Sequence, residues 1–314
     1  MTIKTKKEAE TPKPFDITKK RPKVLLLGNG IARAFGGQNS WDELLEEISD
    51  EIIPVQATNE MPMPLKATLL SKNKLQSKLD NFIISRPGWG FSVDKPQKEF
   101  LQKLLKLKFD YILTTNYTYE IECALIDNDK MIKEVIKEKR GYNSDAMQRK
   151  FFINTYNYFK EKDISVWHIH GEVGWPDSIA LSNEDYGKLT GRYYEWINKN
   201  CFDKNKTKEI KSWIDAFLYG DLYIMGFGMD FSETDLWWLL QYKAKEQEDF
   251  GNTVFFDKDL KNKAKTDLKT WGKYKLFKVL NMKVEDCGGK TKDYKDFYEE
   301  VCNYLKTKEK IGTR

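Results

Sequence analysis

The stretch KVLLLGNG, Lys23 to Gly30, decides the fold. A run this short and this evenly apolar fits a strand covered on both faces, because a half-exposed strand would alternate apolar with polar. It stops at Gly28-Asn29-Gly30, a tight turn, and a helix is predicted to follow. A strand, a turn and a helix in that order open a parallel α/β sheet.

Working outward, the same pattern recurs along the chain. Tyr111–Thr115 (YILTT) runs into Asn116 and then a predicted helix over Tyr119–Ile126. Ile164–Ile169 (ISVWHI) ends at His170-Gly171, and Leu222–Phe227 (LYIMGF) again closes on glycine. Asn252–Asp257 (NTVFFD) is a fifth strand and Lys283–Asp286 a short sixth. Between them, helical spacing marks 41–48, with a capping-box start at Ser40, and then 65–84. It also marks 97–107, behind Asp94 and Pro96, then 233–243 and 292–308. The charged, aromatic segment 130–160 reads as helical, and 183–218 as two helices with a Lys-rich break at 204–208. The predicted architecture is a Rossmann-like, doubly wound, mostly parallel sheet with an inserted helical subdomain. Residues 1–20 form a flexible tail. Residues 21–314 form one α/β domain, its helical module contributed by about 130–163 and 183–220.

Bulk properties fit this reading. The 314 residues carry 53 Lys and Arg against 48 Asp and Glu, a net charge of +5. That balance demands neither a membrane nor a nucleic acid as partner, and the Lys-rich runs at 202–211 and 258–276 read as solvated helix faces. Cys123, Cys201, Cys287 and Cys302 are too dispersed for a four-cysteine zinc site and read as reduced thiols. The first 20 residues lack the apolar run of a secretory leader, and no stretch is apolar enough to span a bilayer; a cytoplasmic protein is expected.

The chemistry is expected where strands end. In a doubly wound sheet the carboxyl ends of the strands lie along one edge, and ligands bind there at the switch point. Four polar or glycine clusters fall at such ends: GNG at 28–30, TTNY at 114–117, HG at 170–171 and GFGM at 226–229. Gly28 and Gly30 would let the backbone approach a pyrophosphate, although the GxGxxG spacing is incomplete. Asn116 is a turn or N-cap asparagine or a site residue. The two histidines, His168 and His170, are expected on opposite faces of their strand, with His168 in the core and His170 at the crevice beside Gly171.

Taken together, VLLLGNGIARAFGG, DYILTTNYTYEIE, VWHIHGE and LYIMGFGMDFSETDLWWLL resemble the successive motifs of sirtuin-like domains. The likeness is greatest to prokaryotic sirtuin-like proteins of antiphage defence. The TTNYTYEIE and GNG spellings are also similar to a bacterial abortive-infection family. The resemblance implies an NAD-binding fold in which Asn116 and His170 are catalytic. It implies cofactor contacts at Gly28, Asn29, Gly30, Ile31, Thr115, Gly171, Gly226, Phe227 and Gly228. Asn29 replaces the small residue usual between the glycines, and Thr118 stands where many relatives have aspartate. The cysteine-held zinc module of protein deacylases is missing, which points to NAD consumption with no metal. The expected activity is hydrolysis of the nicotinamide–ribose bond to nicotinamide and ADP-ribose, with NAD as substrate. It would be held off by self-assembly into a homo-oligomer or by a separate defence-system subunit. A non-catalytic NAD or ADP-ribose sensor module is the alternative. A nicotinamide dehydrogenase is disfavoured, because no acidic ribose reader follows the glycine loop at about 20 residues.

Overall fold

A computed structural model of the chain describes residues 17, 20–36, 41–49, 61–71, 75–85, 90–126, 159–161, 164–201, 210–245, 248–287 and 293–312. The sequence readings for most of the N-terminal tail, for Ser40, for most of 130–160 and for the break at 204–208 lie outside the described residues.

One seven-stranded sheet organises the described residues, in the order β3-β4-β2-β1-β5-β6-β7. Its strands are β1 (Lys23–Leu27), β2 (Tyr111–Thr114), β3 (Phe159–Glu161), β4 (Ile164–His168), β5 (Asp221–Met225), β6 (Thr253–Phe256) and β7 (Lys283–Glu285). All neighbours are parallel except β3, which pairs antiparallel with β4. The chain builds outward from β1 to β2 and β4. It then returns to the other side of β1 with β5, so the direction of winding reverses beside β1.

The helical expectation for the end of 130–160 is corrected at Phe159–Glu161, which is strand β3. Sequence spacing cannot see the cause. Without β3 the edge of β4 would leave backbone N–H and C=O groups unpaired, and even three residues of ladder satisfy them.

After Lys23 the β1 run is apolar because both sheet faces are covered. Leu25 and Leu27 join one core cluster, while Val24 and Leu26 join the other. The first layer contains α1 (Gly30–Ala34), α2 (Trp41–Ile48), α3 (Met63–Ser71), α4 (Leu75–Ser85), α5 (Lys95–Leu105), α6 (Glu120–Leu125) and the C-terminal helix Tyr294–Gly312. The second contains α7 (Asn183–Asn200), α8 (Trp213–Tyr219), α9 (Thr234–Lys245) and a helix over Leu268–Val279. Both α7 and α8 start in a capping box, Ser182 with Asp185 and Ser212 with Asp215, each satisfying two helix-end amides. The end of α8 is held by buried Lys243 of α9, whose Nζ donates to the carbonyls of Phe217 (2.7 Å) and Gly220 (2.8 Å). Among the described residues no helix is long and apolar enough to cross a membrane.

The register places the site. Leu27 lies opposite Thr114 on one side and Met225 on the other, and Thr114 lies opposite His168. The last residues of β1, β2, β4 and β5 therefore form a single row across the sheet. The residues just beyond that row emerge together at one edge, however distant they are in sequence.

Candidate active site

A crevice of about 1110 Å³ opens at that edge. Its wall takes Asn29 and Gly30 after β1, Thr115 to Thr118 after β2, Gly226 to Glu233 after β5, and Asp257 and Lys258 after β6. Arg33, Lys66 and Lys269 also line it, so the wall carries cations suited to a dianionic pyrophosphate.

The glycines tie the β1 loop to the β5 loop. The Gly28 amide donates to the Met225 carbonyl (3.1 Å) and the Gly30 amide to the Gly226 carbonyl (2.7 Å). A side chain on Gly28 would meet Phe227 and the Gly226 carbonyl, and one on Gly30 would lie 2.7 Å from that carbonyl and 2.8 Å from the Tyr298 hydroxyl. Gly226 itself sits at a φ of +68°, which favours glycine. Gly28 and Gly30 thus let the β1 and β5 loops close on each other, and their own amides are spent in doing so. Ile31 is in the core rather than on the main crevice wall. Phe227 and Gly228 do line the crevice, and Gly228 faces open space.

Asn116 lies on the crevice wall, with its backbone fixed from both sides. Its amide donates to Thr114 Oγ1 (3.1 Å), and its carbonyl accepts from His168 Nδ1 (2.6 Å). His168 Nε2 meets Glu122 Oε1 of α6 at 2.9 Å, with both side chains almost fully buried. Both ring nitrogens face acceptors, so both carry protons and the ring is an imidazolium. Burial alone would lower its pKa, but the Glu122 carboxylate outweighs burial, and Glu172 and the Asn116 carbonyl assist, holding the group up at about 9. Beneath the same turn, Thr118 donates to Glu120 Oε1 (2.6 Å), and burial pushes Glu120 up to about 7.

His170 sits one side chain behind the crevice, only 1 % exposed and outside its lining. Its Nε2 pairs with Asp235 Oδ2 at 3.0 Å, and the same oxygen accepts from the Tyr193 hydroxyl (3.0 Å). The ring is edge-on to Tyr186, with centroids 5.2 Å apart. Burial works against its charge, but Asp235 and then Glu233 prevail and raise its pKa.

The expectation that His170 opens directly on the crevice is therefore corrected. A straight strand could not meet the expectation of opposite faces, since residues two apart share a face there. His168 and His170 do reach opposite helix layers, His168 meeting Tyr119 and Glu122 and His170 meeting Tyr186 and Asp235. They diverge because β4 ends at His168 and the chain turns through Ile169 and His170, the turn closed by the Gly171 amide donating to the His168 carbonyl (3.2 Å). Gly171 lies outside the crevice lining, and a side chain there would run into the Ser178 carbonyl.

Three carboxylates were missed by the sequence reading. Glu233 lines the crevice, and Asp235 follows it into the first turn of α9. One nitrogen of His170 and one oxygen each of Glu233 and Asp235 lie within 4.8 Å of one another. These are atom types that bind cations or protons; Asp235 Oδ2 is taken up by His170 and Tyr193, while its Oδ1 is buried with no hydrogen-bond partner. Asp257, just past β6, lines the crevice too, and burial pushes its carboxyl up to about 6 against the pull of Lys263 and Lys273. An acid at a strand end is a common ribose-hydroxyl partner in such sheets, and NTVFFD displayed it.

One comparison with known proteins bears on this fold. Residues 110–263, just under half of the chain, match the family model described as the SIR2-like domain, which supports a sirtuin-like family. SIR2-like domains are, in general, NAD-dependent enzymes. No curated protein matches the chain.

Proposed function

We propose that the chain hydrolyses NAD at the nicotinamide–ribose bond, releasing nicotinamide and ADP-ribose. One observation carries the reading: a strand-end crevice with Asn116 on its wall adjoins the His170–Asp235 pair, inside the SIR2-like segment. Arg33, Lys66 and Lys269 attract the pyrophosphate, and Asp257 accepts from the adenosine ribose. The Asn116 amide, on a backbone clamped by Thr114 and His168, fixes the nicotinamide ribose or the attacking water. Nicotinamide departs as a neutral base, so no strong general acid is needed. The transition state has oxocarbenium character, and the proton lost by water passes to the cluster of His170, Glu233 and Asp235.

The wider role follows the resemblance: an antiphage effector that depletes NAD, restrained by self-assembly or by a separate subunit. The burial of His170 favours one second reading, a sensor that binds NAD or ADP-ribose without turnover. The deciding experiment incubates the purified chain with NAD and separates the products by chromatography. Nicotinamide and ADP-ribose in equal amounts are expected; tight binding of NAD that stays intact selects the sensor.

A further inference from the structure

We propose that Glu233 is the catalytic base that meets the attacking water, with His170 and Asp235 as its positioning residues. The inference rests on the NAD-cleavage reading and narrows it to one group. Of the three clustered side chains, only Glu233 lines the crevice; His170 and Asp235 are 1 % and 0 % exposed. Glu233 stands just ahead of α9, where the chain leaves the crevice floor, and Asp235 two residues on turns inward to His170. The Tyr186 hydroxyl donates to Glu233 Oε2 (3.4 Å), which fixes the carboxylate from one side. Among the described residues Glu233 Oε1 has no protein partner, so it is the atom left for a water in the crevice.

The step balances as follows. The water oxygen bonds to the ribose C1′ carbon as the bond from C1′ to the nicotinamide nitrogen breaks. That bond's electron pair stays on the nitrogen and cancels its positive charge. A water proton passes to the Glu233 carboxylate, which then releases it to solvent. The sum is NAD plus water giving nicotinamide, ADP-ribose and a proton.

The surroundings suit a base that works near neutral pH. Burial pushes Glu233 up to about 7, with Asp235 adding to the rise, while His170 and the Tyr186 hydroxyl oppose it. The titratable groups facing the cluster are Tyr186, Tyr193 and Asp185 of α7, Tyr117 after β2, His170 after β4, and Asp230 and Asp235 around α9. The tyrosines here are all raised above their ordinary value, so they stay neutral donors while the carboxylate changes charge.

The test follows nicotinamide release by the full chain across pH, for wild type, Glu233→Gln and Glu233→Asp, with NAD affinity measured by calorimetry. In Glu233→Gln, kcat is expected to fall by about 100- to 10,000-fold. NAD affinity should hold, and the acid limb of the kcat profile should vanish. Glu233→Asp should recover part of the rate. Should Glu233→Gln fail to fold, Glu233→Ala with added formate serves instead, rate restored by formate being the expected result. Wild-type kcat with an intact acid limb in Glu233→Gln overturns the assignment, as does a rise in KM alone. Wild-type protein that leaves NAD intact overturns the cleavage reading itself, so the two failures are distinguishable.

Discussion

His168 and His170 leave the same strand two residues apart and enter different environments. His168 is locked between a carbonyl and a carboxylate, carries its charge permanently near neutral pH, and holds the backbone of Asn116 in place. His170 touches one carboxylate through one nitrogen and stands beside a half-exposed glutamate on the crevice wall. An imidazole with both nitrogens satisfied by acceptors is a fixed cation and a clamp. An imidazole with one anchored nitrogen keeps the freedom to influence a neighbour's proton. The contrast teaches that two histidines with almost fully buried side chains can differ in the number and kind of their partners, and the proposed roles follow that difference.

The contrast can be broken most sharply at His170. His170→Ala is expected to lower nicotinamide release by at least about 100-fold, measured per folded molecule. It should also lose about 1–3 kcal/mol of stability, because Asp235 keeps only Tyr193. Asn116→Ala should produce a similar loss of rate with little change in melting temperature, since only its backbone atoms are bonded to the fold. Equal activity in either variant removes that residue from the chemistry.

His168→Ala should do the reverse. It strands Glu122 in the core without its cation, which costs about 3–5 kcal/mol in chemical denaturation. A variant that is fully stable yet inactive would exchange the two assignments. Gly171→Ala sharpens the point about the turn: a side chain at a φ of +96°, aimed at the Ser178 carbonyl, should cost about 3 kcal/mol. An unchanged denaturation midpoint would mean that this turn does not depend on glycine.

The His168 clamp should also show in the pH dependence of stability. The His168 pKa is raised in the folded state, from 6.5 to about 9. Its contribution is therefore complete below about pH 6.5 and is lost as pH rises through about 9, an effect on the order of 3 kcal/mol. Melting curves of wild type should fall across that window, and those of His168→Gln should be flatter. Parallel curves would mean that the ring is neutral in the fold.

How much of this was legible follows from range. KVLLL, YILT and LYIM are strands because short apolar runs bounded by glycine or polar turns have one good solution, and the sequence shows them directly. Asn116 was legible as well, as the polar residue closing such a run. Glu233 and Asp235 were not, because FSETDLWW looks like an ordinary acidic helix start. They meet His170 only once α9 packs its first turn against the end of β4, a contact across 65 residues. The β3 strand was hidden for the same reason: its partner, not its composition, makes it a strand. GNG was legible as a turn, but its bonding to the β5 end was not, since the carbonyls that take up the Gly28 and Gly30 amides lie almost 200 residues away.

The account stands on NAD being broken in the crevice at the strand ends. The most direct test incubates purified wild-type chain with NAD and, alongside it, the His170→Ala variant, and resolves nicotinamide from intact NAD over time. Steady nicotinamide release by the wild type and none above background by the variant is the predicted result. Intact NAD in both tubes, or equal release from both, contradicts it.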